Sequence, residues 1–80
     1  MKNIKVYTKN SCQMCNMTKK FLERNGIKFE AINIEDEGNE HLVDFIKEEL
    51  GFMTMPVVAV NDAEFFSGFQ PDKVEKLKED

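Results

Sequence analysis

Tryptophan is absent from this sequence of 80 residues, and tyrosine and histidine occur once each. Cysteine and proline are nearly as scarce, at two residues apiece. One histidine and two cysteines cannot complete the four N or S ligands of a structural zinc site within one chain. No apolar run approaches the roughly 20 residues a membrane-spanning helix needs, so no membrane partner is expected. The opening Met1-Lys2-Asn3-Ile4-Lys5-Val6 meets lysine again before an apolar stretch can form. The expectation is a chain without a signal peptide, in the cytoplasm. Basic residues are outnumbered, Lys+Arg 11 against Asp+Glu 15, for a net charge of −4 and a pI near 5.0. With no basic stripe and no interleaved aromatics, a nucleic-acid partner is not expected. Repeats, linkers and low-complexity segments are missing too. What remains fits one domain over residues 1–80, with 41% hydrophobic residues to build its core.

The order of predicted elements is β-α-β-α-β-β-α. Residues 4–8 have the β-branched and aromatic bias of a strand. After a polar loop, Met14, Met17 and Phe21, with Thr18 and Leu22 beside them, recur at helical spacing and predict a buried face. Gly26 ends that helix where a left-handed residue is favoured. A second strand is expected over 28–34, then an acidic turn, Glu35-Asp36-Glu37-Gly38. Asn39 is the expected N-cap of a helix with the apolar stripe Leu42, Phe45, Ile46 and Leu50, closed by Gly51. Residues 56–60 and 63–66 read as a hairpin about the turn Asn61-Asp62. Pro71 suits the first turn of a last helix, with Phe69 packing on Val74 and with Val74 and Leu77 inward. The charged tail, residues 76–80, is expected to fray. The first two strands should be parallel through a right-handed crossover, and the last two antiparallel.

Cys12 and Cys15 fall at the junction of the first strand and the first helix. Unpaired N–H groups and the helix dipole favour negative charge there, which lowers a thiol's pKa. Three residues apart, almost one turn, the two sulfurs can bond. The pair therefore reads as a redox dithiol: the Cys12 thiolate attacks a partner disulfide, and Cys15 resolves the mixed disulfide. Other readings stand beside it. A structural disulfide would close a very short loop and stabilise little. A metal or iron–sulfur site would need a dimer to supply four cysteines, since His41 sits in a different helix beside acids. Two buried small hydrophobes would not explain the placement. The redox reading needs no cofactor and no metal.

Thr54-Met55-Pro56 is the second feature. A proline opening a strand is an ordinary edge device; the functional reading is a cis Met55–Pro56 bond opposite the cysteines. Met14 and Met55 could form a soft apolar rim for a partner's disulfide strand, whereas Met17 reads as core. Lys9 could support the thiolate or attract an acidic partner, or simply be solvated. His41 is expected at the surface.

With these residues in hand, the whole chain resembles the glutaredoxin branch of the thioredoxin superfamily, and more narrowly the NrdH-redoxins. The matching segments are Val6-Tyr7-Thr8-Lys9-Asn10-Ser11-Cys12, Met17-Thr18-Lys19-Lys20, Thr54-Met55-Pro56-Val57-Val58 and Ser67-Gly68-Phe69-Gln70-Pro71-Asp72. The resemblance implies a minimal thioredoxin-like α/β fold, a four-stranded mixed sheet flanked by three helices. It implies reduction of protein disulfides by a monomer, with class Ib ribonucleotide reductase as acceptor and thioredoxin reductase as donor. Pro56 and the backbone before it would position the substrate, with Lys9, Met14 and Phe69 completing the substrate-binding set. Glutathione-dependent glutaredoxin is the alternative, and such proteins typically carry Gly-Gly and an acid where this chain has Ser67-Gly68-Phe69. Three positions depart from the NrdH pattern: Met14 directly before the second cysteine, where glutamine is expected, Phe66 for tryptophan and Gln70 for arginine.

Overall fold

The computed structural model describes residues 3–78. In chain order they form β1 (Ile4–Thr8), α1 (Gln13–Arg24), β2 (Glu30–Asn33), α2 (Glu40–Asp44), β3 (Val57–Val60), β4 (Glu64–Ser67) and α3 (Pro71–Lys76). A π-helical turn, Phe45–Glu49, continues α2. The sheet runs β2-β1-β3-β4, with β1 and β2 parallel and the other two pairs antiparallel. Order and sheet are those expected.

Strand alternation builds two cores, one on each face. Ile4 and Val6 of β1, Val58 and Val60 of β3, and Phe66 of β4 pack with Leu22 of α1 and Val74 of α3. On the other face Tyr7, Val57 and Ala59 pack with Ile46, and Leu42, Phe45, Leu50 and Phe65 close around them. All four residues of β3 are buried. A strand covered on both faces is a continuous apolar run, and Val57-Val58-Ala59-Val60 is one.

The differences from expectation have physical causes. The buried stripe of α1 is Cys15, Thr18 and Leu22, while Met14 and Met17 are 39% and 40% exposed. Met17 is therefore not core. The small Cys15 and Thr18 let the helix approach the sheet closely, and the larger Met-Met-Phe phase lies about 100° round the helix. β2 is shorter than residues 28–34 because pairing runs only from Lys5↔Glu30 to Thr8↔Asn33, where β1 stops. Ala63 belongs to the hairpin turn: its N–H donates to the Val60 carbonyl at 3.1 Å, after Asn61 and Asp62 at φ 56 and 54. Asn39 is the N-cap of α2, but its side chain donates to the Asn33 carbonyl (2.8 Å) instead of capping the helix. Phe69 stacks edge-on against Phe21 of α1, centroids 5.8 Å apart, which joins α3's approach to α1. Of the tail expected to fray, Glu79 and Asp80 lie outside the described residues. Among the described residues no helix is long and apolar enough to cross a membrane.

Candidate redox-active site

The site forms where β1 hands over to α1. Ser11 turns the chain with φ 54, and Cys12 then takes an extended conformation (φ −109, ψ 104) as the N-cap. N-caps usually satisfy a free helical N–H with a side-chain oxygen. Here sulfur does it: the Cys15 N–H donates to Cys12 Sγ at 3.1 Å. The first turn carries no acidic side chain, so nothing there opposes negative charge on that sulfur. Cys12 and Cys15 are joined in a disulfide, their Cα atoms 5.2 Å apart. Cys12 is 8% exposed and Cys15 only 1%.

Three residues the sequence did not single out brace this loop. The Asn10 N–H donates to Glu35 Oε1 (2.7 Å), and Asn33 Nδ2 donates to Asn10 Oδ1 (2.8 Å). Asn33 Oδ1 in turn accepts from the Glu35 N–H (2.8 Å). The Ile34 N–H reaches the Thr8 carbonyl at 2.9 Å. The polar loop before Cys12 is thus held by the turn after β2. The only sequence signal was an asparagine at the end of a strand and a glutamate just past it, which any surface turn could carry.

The opposite wall begins with Met55–Pro56, which is cis. Pro56 is fully buried, and its carbonyl accepts from the Gly68 N–H at 2.8 Å. Gly68 has φ 80, a backbone region open to glycine. Gln70 Nε2 donates to the Ser67 carbonyl at 2.6 Å. The segment after β4 is therefore tied to the proline. Val57 is the first residue of β3 in the ladder, so Thr54 and Met55 stand outside it.

Between the walls lies a shallow cleft of about 310 Å³, lined by Lys9, Ser11, Cys12, Gln13, Met14, Met53, Thr54 and Met55. The structure so brings together Lys9, Met14, Met55 and Cys12. Met53, 91% exposed, joins this rim, and no sequence pattern singles it out. Pro56 underlies the cleft wall, and Phe69 sits on Phe21 at the seam of α1 and α3. His41 is exposed on α2. Among the described residues no three His, Cys, Asp or Glu side chains group to hold a metal ion.

Lys5 Nζ is 3.3 Å from Asp62 Oδ1, and this hydrogen bond with its ion pairing raises the lysine above its ordinary range. Burial pushes the Tyr7 phenol up, with the Lys5 charge pulling weakly the other way.

Residues 4–65 match the family model Glutaredoxin. The chain is 38% identical over 76 residues to the glutaredoxin-like protein NrdH of Lactococcus lactis subsp. lactis (strain IL1403), covering 92% of this chain and 97% of that protein. Identity to the NrdH protein of Escherichia coli (strain K12) is also 38%, covering 92% and 86%. Among solved structures, the Escherichia coli NrdH-redoxin, a glutaredoxin-like protein with a thioredoxin-like activity profile, superposes with a TM-score of 0.79 at 37% identity, over 94% of this chain and 93% of that one. A glutaredoxin from Archaeoglobus fulgidus gives a TM-score of 0.80 at 28% identity, over 100% and 89%.

Proposed function

The chain belongs to the glutaredoxin family, among its NrdH-like members, and is a thiol–disulfide oxidoreductase; from that premise we propose that Cys12 is the nucleophile and Cys15 the resolving thiol. The observation that carries this division is the Cys15 N–H aimed at Cys12 Sγ, together with the greater exposure of Cys12. An N–H donor and a helix N-terminus both favour thiolate over thiol.

In the reducing direction the Cys12 thiolate attacks one sulfur of a partner's disulfide, and the partner's other sulfur leaves as a thiolate. Cys15, losing its proton, then attacks Cys12 Sγ. The second partner sulfur leaves, and the Cys12–Cys15 disulfide closes. The substrate strand enters the cleft and pairs with the backbone of Met55, outside the ladder, as an added strand would. Pro56 has no N–H to compete for that pairing. Met14 and Met55 give the strand a soft apolar rim, and Lys9 offers a positive charge to an acidic stretch. Phe69, half-buried beside α1, extends the contact surface past the cleft.

The electron donor is thioredoxin reductase and the acceptor is ribonucleotide reductase or another disulfide-bearing protein. The chain acts as a monomer in the cytoplasm. This reading rests on the NrdH relatives and on the segment after β4, where the Gly68 N–H is already taken by Pro56 and Pro71 removes a donor from the start of α3.

The test of the cysteine roles is trapping. Cys12→Ser should abolish disulfide reduction. Cys15→Ser should attack once and stall as a mixed disulfide with the substrate, visible by non-reducing electrophoresis and intact mass. A stable mixed disulfide formed by Cys12→Ser instead would reverse the roles.

A further inference from the structure

One buried polar atom is left over. Thr18 is fully buried on α1, and its Oγ1 has no hydrogen-bond partner among the described residues. Helical threonines commonly return their hydroxyl to a carbonyl of the preceding turn; this one does not. Burial without a partner is costly, so an orphaned hydroxyl in a close-packed interior calls for an explanation.

Its position supplies one. Thr18 follows Cys15 by three residues, and both belong to the buried stripe of α1. Residues at i and i+3 are neighbours on a helix, and side chains lean toward the N-terminus, so Thr18 lies over the turn that carries Cys15. The two sulfurs are held unequally. Cys12 Sγ accepts from the Cys15 N–H at 3.1 Å, while among the described residues Cys15 Sγ has no hydrogen bond beside its bond to Cys12. When that bond breaks, the sulfurs must separate to non-bonded distance, and the movement falls on Cys15. At 1% exposure it cannot swing into solvent. It is left with the helix–sheet interface, where Thr18 waits.

We propose that the Thr18 hydroxyl is a positioning group for the resolving sulfur, unpartnered while the disulfide is closed and donating a hydrogen bond to Cys15 Sγ once it is open. This rests on the redox reading of the cysteine pair. A dithiol reductant supplies two electrons to break the S–S bond and two protons for the sulfurs, and closes its own disulfide. The Thr18 bond exists only on the product side of that exchange. It therefore biases the couple toward the dithiol and keeps Cys15 oriented for its return attack on Cys12.

The experiment is equilibration of wild type, Thr18→Val and Thr18→Ser in dithiothreitol redox buffers, with the dithiol fraction counted by alkylation and mass. Valine keeps the shape and removes the hydroxyl. Thr18→Val should shift the equilibrium about tenfold toward the disulfide, the scale of one lost hydrogen bond, equivalent to a potential about 30 mV more negative. Thr18→Ser should return toward wild type. Melting of the oxidised protein should not fall in Thr18→Val, because no bond exists there to lose; a purely structural threonine would show the reverse pattern. Wild type that equilibrates normally while Thr18→Val matches it, or shifts the other way, overturns the role of Thr18 alone. Wild type that does not interconvert between disulfide and dithiol overturns the redox reading and this inference together. Should Thr18→Val fail to fold, the dithiol form of wild type decides: by crystallography Thr18 Oγ1 lies within hydrogen-bond reach of Cys15 Sγ, and separation beyond it overturns the proposal.

Discussion

Tyr7 is the one phenol of the chain and, with tryptophan absent, its only strong near-ultraviolet chromophore. Burial raises its pKa, so the folded state holds the proton to higher pH than the unfolded chain does. Between the unfolded value, near 10, and the folded one, unfolding releases that proton, and stability falls as pH rises. Lys5, raised by Asp62, adds a contribution of the same sign that is present below its ordinary 10.5 and lost above it. Melting temperature should therefore be flat from neutral pH to about 10 and decline beyond it. Tyr7→Phe should soften the decline, and the phenolate absorbance of wild type should titrate above 10.0. A midpoint at or below that value would remove the burial argument. At this scale the sequence was legible where spacing forces geometry: Cys12 and Cys15 lie together at the start of α1, and Met55–Pro56 is cis, as expected. It was illegible where size competes with close packing, since the longer apolar side chains of Met14 and Met17 face outward while the small Cys15 and Thr18 are buried. Thr18 could not be singled out, because nothing in a sequence says whether a hydroxyl finds a partner.

Apart from β2, the strands were read to within a residue at each end, because β-branched runs and the Asn61-Asp62 pair are local signals. The second helix was not. A regular helix from Asn39 to Gly51 was the natural expectation, but the chain widens after Asp44, with the Leu50 N–H bonding the Phe45 carbonyl at 3.1 Å. Ile46 stays buried, with Phe45 and Leu50 packed on the same core, across this wider turn. Such a turn answers to the sheet beneath it, which local propensity cannot see. The β3–β4 turn offers an element-scale test. Asn61 and Asp62 both have positive φ, Asn61 Oδ1 accepts from the Asn3 N–H (2.8 Å), and Asp62 faces Lys5. Asp62→Gly relieves the backbone while losing one exposed ion pair, so chemical denaturation should find stability within about 1 kcal/mol of wild type. Asp62→Ala loses the pair and keeps a Cβ at positive φ, and should cost roughly 1–2 kcal/mol. Equal losses in the two variants would mean that the pair, not the backbone, governs the turn.

For the whole molecule, the partner question turns on how the segment after β4 is tied down. A glutathione site must offer convergent donors to two carboxylates and a peptide backbone, charge-assisted bonds being the strong ones. Here Gly68 spends its N–H on Pro56, Gln70 reaches back to Ser67, and Pro71 has no N–H to give. NADPH oxidation coupled to a model disulfide should therefore run with thioredoxin reductase and be slow with glutathione and its reductase. Comparable turnover with glutathione would make this a glutathione-dependent glutaredoxin. The anchoring strand has a wider consequence. β3 alternates Val58 and Val60 into one core with Val57 and Ala59 into the other, so each apolar cluster takes two residues from the same strand. Neither face can loosen while the other stays shut. Local opening, which in most proteins follows separable units, has no seam along this strand. Pro56 is joined directly to it, so one wall of the cleft is anchored to the strand that both cores share. On the proposed docking, the give that a substrate needs would come from the other wall, the Lys9–Ser11 loop held by Asn33 and Glu35.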